Sequence, residues 1–167
     1  MNFLHAGSAY GREIYIESAG GDEEQGFPSG YSIAAVVLSP GWKAEELCWT
    51  LNALYGNLAE WNAFESGAGA RSFAFYGERA DEASNICDAL AFAWTAGDDA
   101  EYEDVVAASH DEATPEEFVE NLFSGEILAG EKYAQSLQNL IFAVSEVDLA
   151  DRVTAAVKDA VARHRFD

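Results

Sequence analysis

The side chains best suited to covalent or acid–base chemistry are Cys48 and Cys87 together with His5, His110 and His164. Nucleophilic catalysis needs a thiol or hydroxyl held beside a base, and no pattern in the chain builds such a pair. The sequence has no Gly-x-Ser-x-Gly elbow, no Walker-type phosphate loop, no His-Glu-x-x-His and no dinucleotide glycine fingerprint. Gly67 and Gly69 are a loop glycine pair. His110, Asp111, Glu112 and Glu116 offer a metal one imidazole and three carboxylates, a poorer set than the clustered Cys and His of dedicated sites. The expectation is a non-enzymatic protein with no metal and no cofactor. His110 then precedes a helix cap, and His164 complements a helix C-terminus. The two cysteines fall among apolar neighbours in helical segments and are expected as reduced, buried thiols. A Cys48–Cys87 disulfide would need an oxidising compartment.

Carboxylates are the abundant chemical group. The 167 residues hold 30 Asp and Glu against 9 Lys and Arg, a net charge of −21. That charge opposes unaided binding to DNA, RNA or an anionic membrane, whose phosphates repel it. It is also unevenly placed. Between Arg79 and Lys132, 52 residues contain 15 acids and neither Lys nor Arg, whereas the stretch from Lys132 to Asp167 has five basic and five acidic side chains. The densest run holds Asp98, Asp99, Glu101, Glu103, Asp104, Asp111, Glu112, Glu116, Glu117 and Glu120. Neighbours at i+3 and i+4 on a helix lie roughly 5–6 Å apart. Duplex DNA carries one charge per about 1.7 Å of axis, so 15 charges match roughly 25 Å of duplex, on the order of the width of a domain this size.

Like charges at this density repel, so their clustering needs a cause. Solubility explains acidity but not its concentration in one stretch. Adaptation to high salt fits the scarcity of Lys, three against six Arg, but not the clustering or the excess of Glu over Asp, 19 to 11. Recognition of a basic surface explains the clustering. In size and composition the chain is similar to the acidic decoy inhibitors that phages and plasmids use against restriction enzymes or CRISPR effector complexes. The likeness is one of class, carried by charge and length and by no motif. It implies a cytoplasmic antirestriction or anti-CRISPR protein, a DNA mimic that occupies the basic cleft of a nucleic-acid-handling host complex. The ten acids named above are the expected contact residues. Direct binding to nucleic acid or membrane is not expected, and homodimers are known in that class. An immunity protein against a basic nuclease toxin is the alternative, and a plain acidic accessory protein is a third reading. Among the aromatics, Trp42 and Tyr102 are expected nearer the surface, where an aromatic among acids can anchor an interface. Trp49 and Trp94 are expected in the core.

The elements that must carry these residues follow from periodicity. A composition of 49% hydrophobic and 13% aromatic residues supports a packed core. The strongest apolar run, 33–38, is too short to span a bilayer, and the N-terminus has neither a basic start nor a long apolar stretch. Residues 13–18 and 31–38 read as strands around a Gly- and acid-rich loop, most simply an antiparallel hairpin. Ser39-Pro40 opens a helix over 41–55, with Leu47, Leu51, Leu54 and Tyr55 on one face. Residues 58–65 and 71–76 suggest a second hairpin, although the first arm also suits a helix. Helices are expected from Asp81 to about residue 96, more weakly over 101–109, from the Thr114-Pro115-Glu116-Glu117 capping box to about residue 125, over 131–144, and from Asp148 onward. The result is a single α+β domain over 1–167. A small antiparallel sheet of two hairpins occupies 1–78, and a mainly helical part, 79–167, carries the acids.

Overall fold

Three segments rich in Ile, Val, Phe, Leu and Ala are buried along nearly their whole length, which requires cover on both faces. They form the centre of the sheet. The computed structural model describes residues 3–17, 30–56, 69–95, 105–124 and 137–164. Its strands are β1 (Phe3–Ala9), β2 (Arg12–Glu17), β3 (Tyr31–Val37), β4 (Gly69–Tyr76), β5 (Val106–His110) and β6 (Leu137–Val144). Its helices are α1 (Ala44–Tyr55), α2 (Ala80–Trp94), α3 (Pro115–Ser124) and α4 (Val147–His164).

The six strands form one sheet in the order β1-β2-β6-β3-β4-β5. β2, β6, β3, β4 and β5 are parallel, and β1 closes one side as an antiparallel partner of β2. Alternate residues sort the core into two layers. Ala34, Val36, Phe73, Phe75, Ile141 and Ala143 pack with Leu47, Leu51 and Leu54 of α1 and Ala83, Cys87 and Ala91 of α2. Ile33, Ala35, Val37, Leu140, Phe142 and Val144 pack with Phe118, Val119 and Leu122 of α3 and Val153, Val157 and Ala160 of α4. The described elements are thus helices on both faces of a largely parallel sheet.

Two helix ends carry the signals read from the sequence, whereas α2 starts at Ala80, with Arg79 rather than Asp81 at its N-cap. Gly56 ends α1 in the left-handed conformation, and its N–H donates to the carbonyls of Asn52 and Ala53. Thr114 Oγ1 accepts the Glu117 N–H at 3.2 Å, while Glu117 Oε2 accepts the Ala113 N–H at 3.2 Å. This is the expected capping box, with its return bond one residue upstream.

The α+β class stands, and helices dominate the described residues after 79, but the sheet departs from two hairpins. Among the described residues its one antiparallel pair, β1–β2, turns at Tyr10-Gly11, where both φ values are positive, the geometry of a tight two-residue hairpin loop. β2 and β3 do not pair with each other, because β6 lies between them. β4 runs parallel to both its neighbours, and the other proposed arm, 58–65, lies outside the described residues. The expected helix over 131–144 is a strand at 137–144, with 131–136 outside the described residues. With both faces buried, Leu137, Leu140, Ile141 and Val144 show no alternation, and their spacing imitated a helix. The weak helix over 101–109 is likewise the strand β5 at 106–110, with 101–104 outside the described residues. The sheet therefore draws strands from both parts of the chain.

Candidate functional site

Parallel strands all end at one edge of a sheet, and the helices that follow them begin there. Here that edge collects acids. Glu17 ends β2. Glu45 and Glu46 lie in the first turn of α1, Asp81 and Glu82 in that of α2, Glu116 and Glu117 in that of α3, and Asp148 in that of α4. Glu78 follows β4, Asp111 and Glu112 follow β5, and Glu146 follows β6. The local reason is the helix dipole, whose positive end favours carboxylates in a first turn. In the same connections the cations are Lys43 and Arg79. Arg79 is committed to a two-pronged ion pair with Glu82, at 2.8 and 2.9 Å. Basic side chains in a last turn occur in α4, at Arg163 and His164, which lie at the opposite edge.

Within this carboxyl edge the chain makes its change of direction. The helix following β3 lies on one face of the sheet and the helix following β6 lies on the other, although β3 and β6 are neighbours. Such a switch point leaves a crevice above the strand ends and is where open α/β sheets bind ligands. A cavity of about 200 Å³ occupies this position. Its floor is the apolar ends of β3 and β6 with Leu47, and its rim holds Glu17, Ser39, Glu46, Trp49, Thr50 and Ser145. Ser39 Oγ and Ser145 Oγ are 2.8 Å apart and tie the two strand exits together.

Glu17 is held by one bond, its Oε2 accepting the Val144 N–H at 2.9 Å. Burial raises its carboxyl above the usual range, and the Val144 bond only partly offsets this. A raised carboxyl favours the folded state at low pH, and that contribution is lost as pH rises from the unfolded value through the folded one. Glu17→Gln is therefore expected to match the native protein in thermal midpoint below about pH 4 and to exceed it at neutral pH. Melting curves across that range check this. A gap that shrinks with rising pH contradicts it.

No known family, characterised protein or solved structure is detectably similar to this chain.

The geometry itself must therefore assign roles to the residues singled out in the sequence. Asp98, Asp99, Glu101, Glu103 and Asp104 lie outside the described residues. Of the other five acids, four are engaged by the protein's own groups. Glu116 receives both prongs of Arg152, at 3.0 and 2.8 Å. Glu120 bonds Arg163 at 2.6 Å and His164 at 3.2 Å. Glu117 closes the helix cap. Glu112 accepts from Asn121 and lies 3.1 Å from His110 Nδ1. These bonds hold the carboxyls of Glu116 and Glu120 below the usual range. For Glu112, burial pulls upward but the bonds from Asn121 and His110 prevail. Asp111 is exposed. β5 also interrupts the acidic run. Its five residues, 106–110, carry the chain roughly 13 Å along the sheet, so the acids from Asp111 onward start at the far end of that strand.

The same geometry bears on catalytic candidates. Ser109 donates its hydroxyl to Asp81 rather than to His110, and His110 faces Glu112, so serine and imidazole are not coupled. Burial pushes the Cys87 thiol far up, which disfavours the reactive thiolate. Cys48 and Cys87 are free thiols, Cys48 half-buried rather than fully buried. Among the described residues no three His, Cys, Asp or Glu side chains are grouped to hold a metal, and Glu116 turns from the His110 set toward Arg152. His164 bonds Tyr10 at 2.8 Å as well as Glu120, linking the β1–β2 turn to α3. No helix among them is long and apolar enough to cross a membrane.

Two tryptophans exchange their expected places. Trp42 is buried, donating Nε1–H to the Glu78 carbonyl at 2.6 Å under the guanidinium of Arg79. Trp49 is 54% exposed at the crevice rim. The helical wheel contained that signal. Two residues from both Leu47 and Leu51, Trp49 sits about 160° around the helix from each, on the side opposite the buried face. Trp94, expected in the core, is half-buried at its margin, stacked on Tyr55 at 4.3 Å. Tyr102 lies outside the described residues.

Proposed function

We propose that this protein is a non-enzymatic inhibitor that binds the basic surface of a nucleic-acid-handling protein or complex and blocks its access to nucleic acid. A restriction enzyme or CRISPR effector complex in a phage or mobile-element setting is the target class that fits the charge. The observation that carries the reading is the convergence on one edge of Glu17 from the end of β2 and of carboxylates from the four described connections that follow β3, β4, β5 and β6. A predominantly acidic edge, whose Arg79 is already paired with Glu82, steers a basic partner and discriminates against acidic ones. The internal ion pairs of Glu116 and Glu120 move the proposed contact surface away from the α3–α4 face. It falls instead on Glu45, Glu46, Glu78 and Asp111 at the carboxyl edge, with the 98–104 run as a second acidic element.

The decisive measurement is competition. With the partner identified by affinity capture, added nucleic acid is expected to displace the protein, and the protein to displace nucleic acid. Binding is also expected to weaken steeply with salt. Equal affinity for the free and the nucleic-acid-bound partner would eliminate occlusion. An immunity protein uses the same edge, and the partner's identity as a secreted nuclease would distinguish it.

A further inference from the structure

The crevice at the switch point has a chemistry more specific than the acidic edge around it. Its walls combine an apolar floor, an exposed indole at Trp49, carboxylates at Glu17 and Glu46, and hydroxyls at Ser39 and Ser145. None of the described residues lining it is cationic. An apolar floor beneath an anionic, aromatic rim suits a side chain with a methylene stem and a cationic head. Between the two cationic side chains, the planar guanidinium is the better fit. It lies flat on an indole and donates from a fixed fork to a carboxylate, whereas an ammonium is a compact, strongly hydrated point charge. The protein already uses this chemistry next door. The Arg79 guanidinium sits 4.0 Å from the centroid of Trp42, which also walls the crevice, while its fork engages Glu82.

We infer that the crevice is the receptor for an arginine side chain of the basic partner, seated against Trp49 and held by Glu46 and Glu17. This rests on the proposed function for the source of the arginine, but the receptor chemistry stands on the cavity alone. Glu17 suits the role because its carboxylate is poorly hydrated where it sits, so a cationic guest replaces solvation that the site denies it.

The test is calorimetric titration of the full chain with N-acetylarginine amide at physiological ionic strength. Saturable one-to-one binding is expected, about tenfold weaker for N-acetyllysine amide. Trp49→Ala and Glu46→Gln are each expected to weaken the arginine probe by roughly tenfold. Both side chains are exposed, so the fold should survive, and thermal melting verifies that. Asp159→Asn, in an exposed pair near the far end of α4, should leave binding unchanged. Absence of saturable binding overturns the inference. So does unaltered binding by both crevice variants, or an equal loss in Asp159→Asn, which would mean diffuse counterion attraction. These outcomes separate from those of the functional reading. A partner that binds while the crevice ignores arginine removes the receptor only. A crevice that binds arginine in a protein that captures no basic partner removes the inhibitor reading only.

Discussion

Phe142→Ala is expected to lower the free energy of unfolding by about 3–5 kcal/mol. Phe142 is fully buried near the end of β6, the strand between β2 and β3. It faces Ile16 across one ladder and Ala35 across the other, and its ring lies nearly parallel to that of Phe123 in α3. Removing it takes away contacts to the sheet and the helix layer at once, in a place where flanking strands prevent collapse into the void. A domain with a total stability of about 5–15 kcal/mol would retain little of it. Urea denaturation measures this as a fall in midpoint with an unchanged slope. A loss below about 1 kcal/mol is what a surface position gives, and it would remove 137–144 from the centre of the sheet.

That segment also shows where sequence reasoning succeeds and fails. Helices were legible because their ends carry chemistry. Thr114 with Glu117 marks the start of α3 and Gly56 the end of α1, and the apolar stripe of Leu47, Leu51 and Leu54 sets the buried face between such marks. β3 and β4 were legible from their β-branched and aromatic content. β6 was not, since a strand buried on both sides loses the two-residue alternation that distinguishes it from a helix. β1 lacked a signal of another kind. Phe3–Ala9 mixes small and polar residues, and its pairing depends on a Tyr10-Gly11 turn that only Gly11 hints at. Strand direction was the larger gap, because antiparallel pairing is the simplest reading of neighbouring strands and local sequence does not encode the helical crossovers that make a sheet parallel.

The candidate site inherits that gap. The concentration of acids was visible along the chain, but their convergence on an edge depends on strands pointing the same way. Glu45 and Glu46, outside the 80–131 stretch, join Asp111 only through the parallel order β3-β4-β5. Conversely, Glu116 and Glu120 looked equivalent to their neighbours until α4 delivered Arg152, Arg163 and His164 to them. Glu17 stood inside a predicted strand with nothing to mark it, because its importance comes from the exits of β3 and β6 beside it. Trp49 was recoverable, since its own helical wheel pointed it away from the core.

Replacing Glu45, Glu46 and Asp111 together by Lys is expected to weaken partner binding at least a hundredfold at low salt, mainly by slowing association. The substitution changes the edge by six charges, and all three side chains are exposed. Two of them lie in the first turn of α1, where lysine opposes the helix dipole at a cost of about 0.3–1 kcal/mol each. The matched Gln variant separates this loss of stability from the loss of attraction. It should bind with intermediate affinity and melt close to the native protein. Glu101, Glu103 and Asp104 changed to Lys form the competing variant. β5 separates them in the chain from Asp111, so no single helix carries both sets. Loss of binding in the first alone assigns the contact to the carboxyl edge. Loss in the second alone assigns it to the run preceding β5. Unchanged association in both would mean that the clustered charge does not steer a partner, leaving solvation as its physical role.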